Sequence, residues 1–552
     1  MRGTTRTVVV ATAAVGALLV AGCGSSSSGS GSGSTGAAKG GEITVAGCTP
    51  QNPFVPANTN ETCGGDPLDA VLAKLVHYNP DNAAPENDIA ESIDTTDNQN
   101  FTVKIKKGYK FSDGTEIKAK NFVDAWNWNR YGPNGTLNSY FFDPIAGSSD
   151  LDCGAGADGS PDCTAKPPKA KTLSGLKVVD DYTFTIQTTE KVSNLPVRLG
   201  YTAFAPLPDS FFADDGKSYG DKPVGAGPYM MQSYDKGTAI VLVKNPNYSG
   251  KWPGKVDKIT FKIYQDTDAA YKDLQADQLD LLASLPTSAL AGDKFKTDLP
   301  DRNDVKAVGV FQSISFPSAK ADKTYSNPQL RQAISMAIDR QTIIDKVLNG
   351  TRIPATGWVS PVVDGYKAGA CGDFCTYDAA KAKALFDQAG GYQGTLTLSY
   401  NADGGHKEWT EATCNSIKDA LGVDCKAVAV PDFATFRTQI TDRKMKGMFR
   451  TGWQMDYPSI ENFLAPLYGT GAGSNDSDYS NPAFDDLLTK AAAATNADEA
   501  NADYQQAEAL LAQDMPVIPM WYGKAVAGWS TKVDNVKVTP FGTFDLSDVT
   551  VK

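Results

Sequence analysis

A multi-lobed α/β protein is what the sequence predicts, on three observations. Strand-like and helix-like stretches alternate along most of the chain, as they do where helices layer on a sheet. Of the 552 residues, 1–22 read as a leader, and the remaining 530 are too many for one core. Residues 23–41 show no apolar periodicity at all and read as a tether.

The leader comes first. Arg2 and Arg6 precede an apolar stretch from Val8 that closes in Leu19-Val20-Ala21-Gly22-Cys23. A basic start, a short apolar run and small residues before the cut make a secretory signal peptide. The run is shorter than the ~20 apolar residues a membrane span needs. A Cys directly after the small residues resembles a bacterial lipobox, so the mature chain is expected to begin at Cys23 with lipid on its sulfur. Residues 24–41, GSSSSGSGSGSTGAAKGG, cannot bury apolar surface and predict a flexible leash from a membrane.

The globular elements follow in order. Residues 101–106 (FTVKIK) alternate as a strand does, and Gly108 and Ser112-Asp113-Gly114 punctuate turns. Residues 118–130 set Phe122, Val123 and Trp126 at helical spacing, with Trp126 and Trp128 read as helix core. Within 175–188, Asp180-Asp181 splits two strand-like runs. Strands are expected at 239–244 and 259–264, and a helix leading into a strand at 268–282. Residues 328–348 predict one long helix, with Pro328 suited to its first turn. Then come helix 378–389, strand 394–400, helix 407–421, strand 424–430, helix 432–443 and a helical stretch over 481–513.

Charge and cysteine content set the environment. The chain has 52 Lys and Arg, two of them (Arg2, Arg6) in the leader, against 64 Asp and Glu, none of them there, so the mature charge is about −14. That sign argues against nucleic acid or anionic lipid as the main partner. Eight Cys remain after Cys23, an even number that predicts disulfides in an exported chain. Eight Cys allow 105 connectivities. They fall into four local pairs, Cys48–Cys63, Cys153–Cys163, Cys371–Cys375 and Cys414–Cys425, and these are the expected bridges. With two His, His77 and His406, and no CxxC spacing, the alternative of a zinc site lacks its ligand pattern. Asp150, Asp152 and Asp158-Gly159 do not keep the register of a calcium loop. HExxH, a phosphate-binding GxxxxGK[ST] and GxSxG outside the Gly/Ser tract are absent, so no metal, cofactor or catalytic residue is assigned. His77, in an apolar run, reads as a core or boundary residue.

Four blocks carry a family resemblance: FSDGTEIKAKNFVDAWNW (111–128), PVGAGPYMMQSYDKGTAIVLVKNPNY (223–248), LRQAISMAIDRQTIIDKVLNG (330–350) and GWQMDYPSIENFLAPLYG (452–469). In that order they resemble the family 5 solute-binding proteins of peptide-type ABC importers. The resemblance implies a bilobal periplasmic-binding-protein-like clamp (type II, cluster C) with an extra subdomain on lobe one. It implies a monomer that closes on a peptide and delivers it to permease subunits, anchored through Cys23 on the extracytoplasmic face of the cell membrane. It also implies Asp456 as the anion for a peptide's α-ammonium, with Trp453, Gln454 and Gly452 beside it as backbone contacts and wall. Arg450 and His406 would meet the ligand's carboxylate end, and Tyr140 would stand at the subdomain edge of the pocket. Two departures are the Gly-, Cys- and Pro-rich stretch within 145–172 and the Cys48–Cys63 loop in the first lobe.

The expected division is a signal peptide over 1–22 and a tether over 23–41. Lobe I would take 42–78, 171–308 and 518–552, the subdomain 79–170, and lobe II 309–517, with chain crossings near 308 and 517. Two other readings stay open: the same clamp holding an oligosaccharide, haem, a metal chelate or a peptide signal, and a tethered surface hydrolase with turnover.

Overall fold

The computed structural model describes residues 40–156, 160–494 and 496–552. Residues 1–39, with Cys23 and the tether, and the Asp158-Gly159 pair lie outside the described residues.

One large sheet runs through the molecule. Its strands are β1 (Glu42–Gly47), β2 (Tyr229–Asp235), β3 (Ala239–Lys244), β4 (Lys258–Ile263), β5 (Leu281–Leu282), β6 (Asn303–Ser315), β7 (Ile353–Pro354), β8 (Leu396–Asn401), β9 (Cys425–Val430), β10 (Met448–Gln454) and β11 (Val517–Trp529). The order is β9-β8-β10-β6-β11-β5-β1-β4-β3-β2, with β7 also on β11. Strands β6 and β11 are 13 residues each and pair antiparallel, with an irregularity between Ala307 and Phe311. β11 alone bonds to both β6 and β5, so it joins the two halves of the sheet.

Separate apolar cores form around it. Alternation in β1, β3 and β4 turns Ile43, Ile240, Leu242 and Ile259 inward, each at most 1 % exposed. A second core fills the half of the sheet from β6 to β9, with Trp358, Phe463 and Ile518 fully buried. A third belongs to a small antiparallel sheet ordered 90–95, 100–105, 183–187, 176–180. Helix α2 (Ala119–Arg130), which follows α1 (Thr62–Val71), lays Phe122 and Trp126 on Phe184 of that sheet. The Trp126 indole donates to the Phe204 carbonyl at 3.1 Å, so this buried aromatic is also satisfied.

The single helix predicted over 328–348 is broken, and the helical stretch over 481–513 is built of two helices. Over 328–348 there are two, Pro328–Met336 and Arg340–Lys346. The Asp339 carboxylate accepts from the Thr342 amide at 3.0 Å and starts a new helix where the apolar spacing runs on. Over 481–513 the chain forms Pro482–Ala492 and Ala497–Asp514, with Asn496 accepting from the Glu499 amide. The other expected elements fall within two residues of their ranges.

The four disulfides join Cys48–Cys63, Cys153–Cys163, Cys371–Cys375 and Cys414–Cys425. Cys48–Cys63 ties the chain just past β1 to the start of α1, and Cys414–Cys425 ties α3 (Lys407–Leu421) to β9.

Candidate functional site

A cavity of about 660 Å³ lies where residues of both sheet halves meet, within the range of small-molecule and peptide-end sites. One wall comes from α1 and the turn before it, with Tyr78 and Tyr201; the facing wall comes from β10, α4 (Phe433–Thr441) and the turn after β8.

The backbone of β10 sets the facing wall. β8 pairs with β10 only at Met448 and Phe449, then ends at Asn401 and turns off toward His406 and α3. On its other side β10 is fully paired to β6, from Phe449 through Gln454. From Arg450 to Gln454, therefore, one edge of β10 has no strand partner among the described residues. Such an edge presents alternate N–H and C=O groups ready to pair with an added strand. Gly452, in the middle of it, is exposed, and the Gln312 side chain beside it donates to the Thr451 carbonyl.

Each end of that edge carries a charge. At the C-terminal end, the Asp456 carboxylate accepts from the Asn462 side-chain amide at 2.8 Å, and the Asn462 carbonyl accepts from the Asp456 amide at 2.8 Å and the Trp453 indole at 3.0 Å. Asn462, fully buried on α5 (Glu461–Tyr468), thus fixes both the anion and the aromatic wall. Burial pushes the Asp456 pKa up to about 7; the Asn462 donor and the Tyr201 hydroxyl oppose this, and Glu461 adds to it. At the other end, the Arg450 guanidinium donates to Asn401, 2.8 Å from Nε, and lies over the Phe433 and Phe436 rings at 5.4 and 5.3 Å. Burial and then Arg437 weigh against its charge, with Asp403 opposing. A guanidinium stays charged at neutral pH, so Arg450 is a half-buried cation whose charge no described carboxylate pairs with. His406 lies beside it; its Nδ1 accepts from the Trp409 indole at 3.1 Å. Burial, Arg450 and Arg352 hold its pKa well below the ordinary value, so it is neutral at pH 7.

Of the seven residues predicted for the site, Asp456, Trp453, Gln454, Gly452, Arg450 and His406 line this one cavity. Tyr140 does not. It packs behind the wall, its ring stacked on Phe141 at 4.4 Å, within reach of the Asp456 charge. His77, half-buried as expected of a boundary residue, also lines the cavity, stacked on Trp252 at 3.8 Å.

Sequence reasoning missed the opposite wall. Glu61 caps α1, accepting from the Gly64 and Gln51 amides. Asp66 and Asp69 follow three apart, hence on one helix face; Asp69 is ion-paired to Lys74. The Glu61 spacing ahead of α1 was readable as a cap. Its placement opposite β10 had no local signal.

Known proteins give four relevant likenesses. The profile described as "Bacterial extracellular solute-binding proteins, family 5 Middle" matches residues 84–475. The oligopeptide-binding protein OppA of Bacillus subtilis is 25% identical over 481 residues, 85% of each chain. The heme-binding protein A of Haemophilus influenzae is 28% identical over 558 residues, 96% of each. Among solved structures, the Escherichia coli murein tripeptide binding protein MppA matches at TM-score 0.82 and 22% identity, covering 94% of this chain and 99% of that one. The expected two-lobed α/β fold is the fold found.

Proposed function

Because the chain belongs to the family 5 extracellular solute-binding proteins of ABC transporters, we propose that it captures short peptides outside the cytoplasm and hands them to permease subunits, with no chemistry of its own. The observation that carries this is the open Arg450–Gln454 edge bracketed by opposite charges. Every peptide shares a backbone, an ammonium and a carboxylate. An added strand reads the first, Asp456 takes the second by a charge-assisted hydrogen bond, and Arg450 takes the third. The ligand then runs antiparallel to β10. Arg450 to Gln454 spans about 13 Å at ~3.3 Å per residue, so a peptide of about three to five residues reaches both charges.

Two crossings, near 308 in β6 and 517 at the start of β11, serve as the hinge between lobe I (42–78, 171–308, 518–552, with 79–170 as subdomain) and lobe II (309–517). Closure is a shift of an existing equilibrium, since ligand touches both walls only when they meet. The protein acts as a monomer held at the membrane by lipid on Cys23. No described helix is long and apolar enough to cross a membrane. Cys23→Ala should move the protein from the membrane fraction to the medium, read by fractionation and immunoblot; retention in the membrane would remove the anchor.

Native mass spectrometry of residues 42–552, with tandem sequencing of what co-purifies, tests the peptide reading. A ladder of peptides supports it. The likeness to a heme-binding protein makes haem the rival: a single co-purifying mass with a Soret band would overturn the peptide assignment. Haem brings two carboxylates to a cavity already rich in carboxylates, which favours peptide.

A further inference from the structure

The cavity holds more anionic charge than the peptide's amino terminus accounts for. Its carboxylates are neutralised or hydrogen-bonded one by one: Asp69 by Lys74, Asp476 by both arms of Arg437, Asp88 by Tyr109, Asp403 by Asn401, Glu61 by two backbone amides. Asp456 takes Asn462. Asp66 alone among them has neither a hydrogen bond nor an ion pair among the described residues. It faces the cavity from α1, flanked by Asp69 and Glu61.

One more atom of the lining lacks a partner. The Asn60 carbonyl, on the turn leading into α1, is a buried acceptor with no donor. Buried polar atoms without partners in a protein are rare and mark a missing group. A carboxylate and a carbonyl together ask for a donor with positive charge. The missing cation is not a metal: among the described residues no three His, Cys, Asp or Glu side chains are grouped to hold one.

Position follows from shared neighbours. Tyr78 feels the charges of both Asp456 and Asp69, and Tyr201 those of both Asp456 and Glu61. Glu61 also meets the charge of Arg437, the neighbour of Arg450, so the α1 carboxylates lie between the two charged ends of the β10 edge. We propose that Asp66 is a second cation-binding position, so that the preferred ligand is a peptide with a lysine or arginine side chain; this rests on the peptide reading above. Burial and the neighbouring carboxylates push the Asp66 pKa up to about 7, as expected of an anion lacking its counter-ion. A ligand cation draws that value down, releasing a proton on binding.

Isothermal titration of the 42–552 protein with Ala-Ala-Ala, Lys-Ala-Ala, Ala-Lys-Ala and Glu-Ala-Ala tests this. The expected result is binding of at least one lysine peptide about tenfold or more tighter than Ala-Ala-Ala, with Glu-Ala-Ala weakest. In Asp66→Asn the lysine-to-alanine affinity ratio should collapse toward one. Equal affinities in the wild type, or a ratio that survives Asp66→Asn, overturn the second position and leave peptide binding standing. No heat from any peptide, alanine included, overturns the peptide reading and this inference with it. The wild-type ratio is decisive even where Asp66→Asn fails to fold.

Discussion

A carboxylate with a pKa near 7 gives the site a proton to displace. Asp456 faces Tyr201, Tyr140 and Tyr78, whose own pKa values burial pushes well above 10, and Glu461, which is ion-paired to Arg198. None of those hydroxyls titrates near neutrality. An ammonium binds the ionised form of Asp456, so below pH 7 each ligand must first expel a proton. Affinity should fall toward tenfold per pH unit between 7 and 5. Above about pH 8 it falls again, as the peptide's own α-amine, pKa ~7.7–8.0, loses charge. An N-acetylated neutral peptide should bind weakly and without the Asp456 limb of the acid slope. Asp456→Asn should cost about 2–5 kcal/mol of binding for the free-amine peptide; titration showing unchanged affinity would remove Asp456 from the site. At this scale the sequence was legible where a motif put residues close together. Asp456, Trp453 and Arg450 lie within seven residues of each other. Asn462, Tyr201, Asp66 and His77 come from separate elements, and only the fold brings them to one cavity.

At the scale of elements, the α1 wall is only as well placed as its attachment. Helix α1 is ten residues long and is held at its start by Glu61 and by Cys48–Cys63. Closing a loop of that size removes roughly 3 kcal/mol of unfolded-state entropy. Cys48→Ala/Cys63→Ala should lower stability by about 2–4 kcal/mol in urea unfolding and weaken lysine-peptide binding more than alanine-peptide binding. A melting curve identical to wild type would show that the helix does not depend on the bridge. Most elements were readable from periodicity, because apolar spacing is a local property. Breaks at Asp339 and Asn496 were not, since a polar residue at a solvent-facing helix position looks the same in sequence as one that caps a new helix. Distinguishing them requires the tertiary contacts that turn the chain.

Across the whole molecule, one buried ion pair fastens the two walls. Arg198, 8% exposed at its side chain, lies 3.4 Å from Glu461, 5% exposed. Tyr457 donates to the same carboxylate at 2.5 Å, and Asn194 accepts from Arg198 at 3.0 Å. Arg198 comes from the first half of the chain and Glu461 from α5, beside Asp456. On the lobe division proposed above, the pair joins lobe I to lobe II and would bias the clamp toward closure. Removing one partner of a buried pair leaves the other charge uncompensated, at about 3–5 kcal/mol. Glu461→Gln should raise the radius of gyration of the ligand-free protein in solution scattering and weaken every peptide alike. Scattering and affinity that match wild type would show the clasp to be energetically idle. A two-lobed fold was legible from length and alternation; this clasp was not, because its partners are more than 260 residues apart.

The central role of β11 bears on how the chain is made. β5 and β6 precede it by more than 200 residues, yet neither half of the sheet is bonded to the other until Val517–Trp529 lies between them. Synthesis runs from the amino terminus, so from the completion of β10 at Gln454 until β11 is made the chain would hold two unjoined half-sheets with open edges at β5 and β6. Exposed edges of that kind invite wrong pairing with a neighbouring chain. The last 36 residues act as the closing seam, and a truncation before Val517 should yield an aggregating protein rather than a smaller working one.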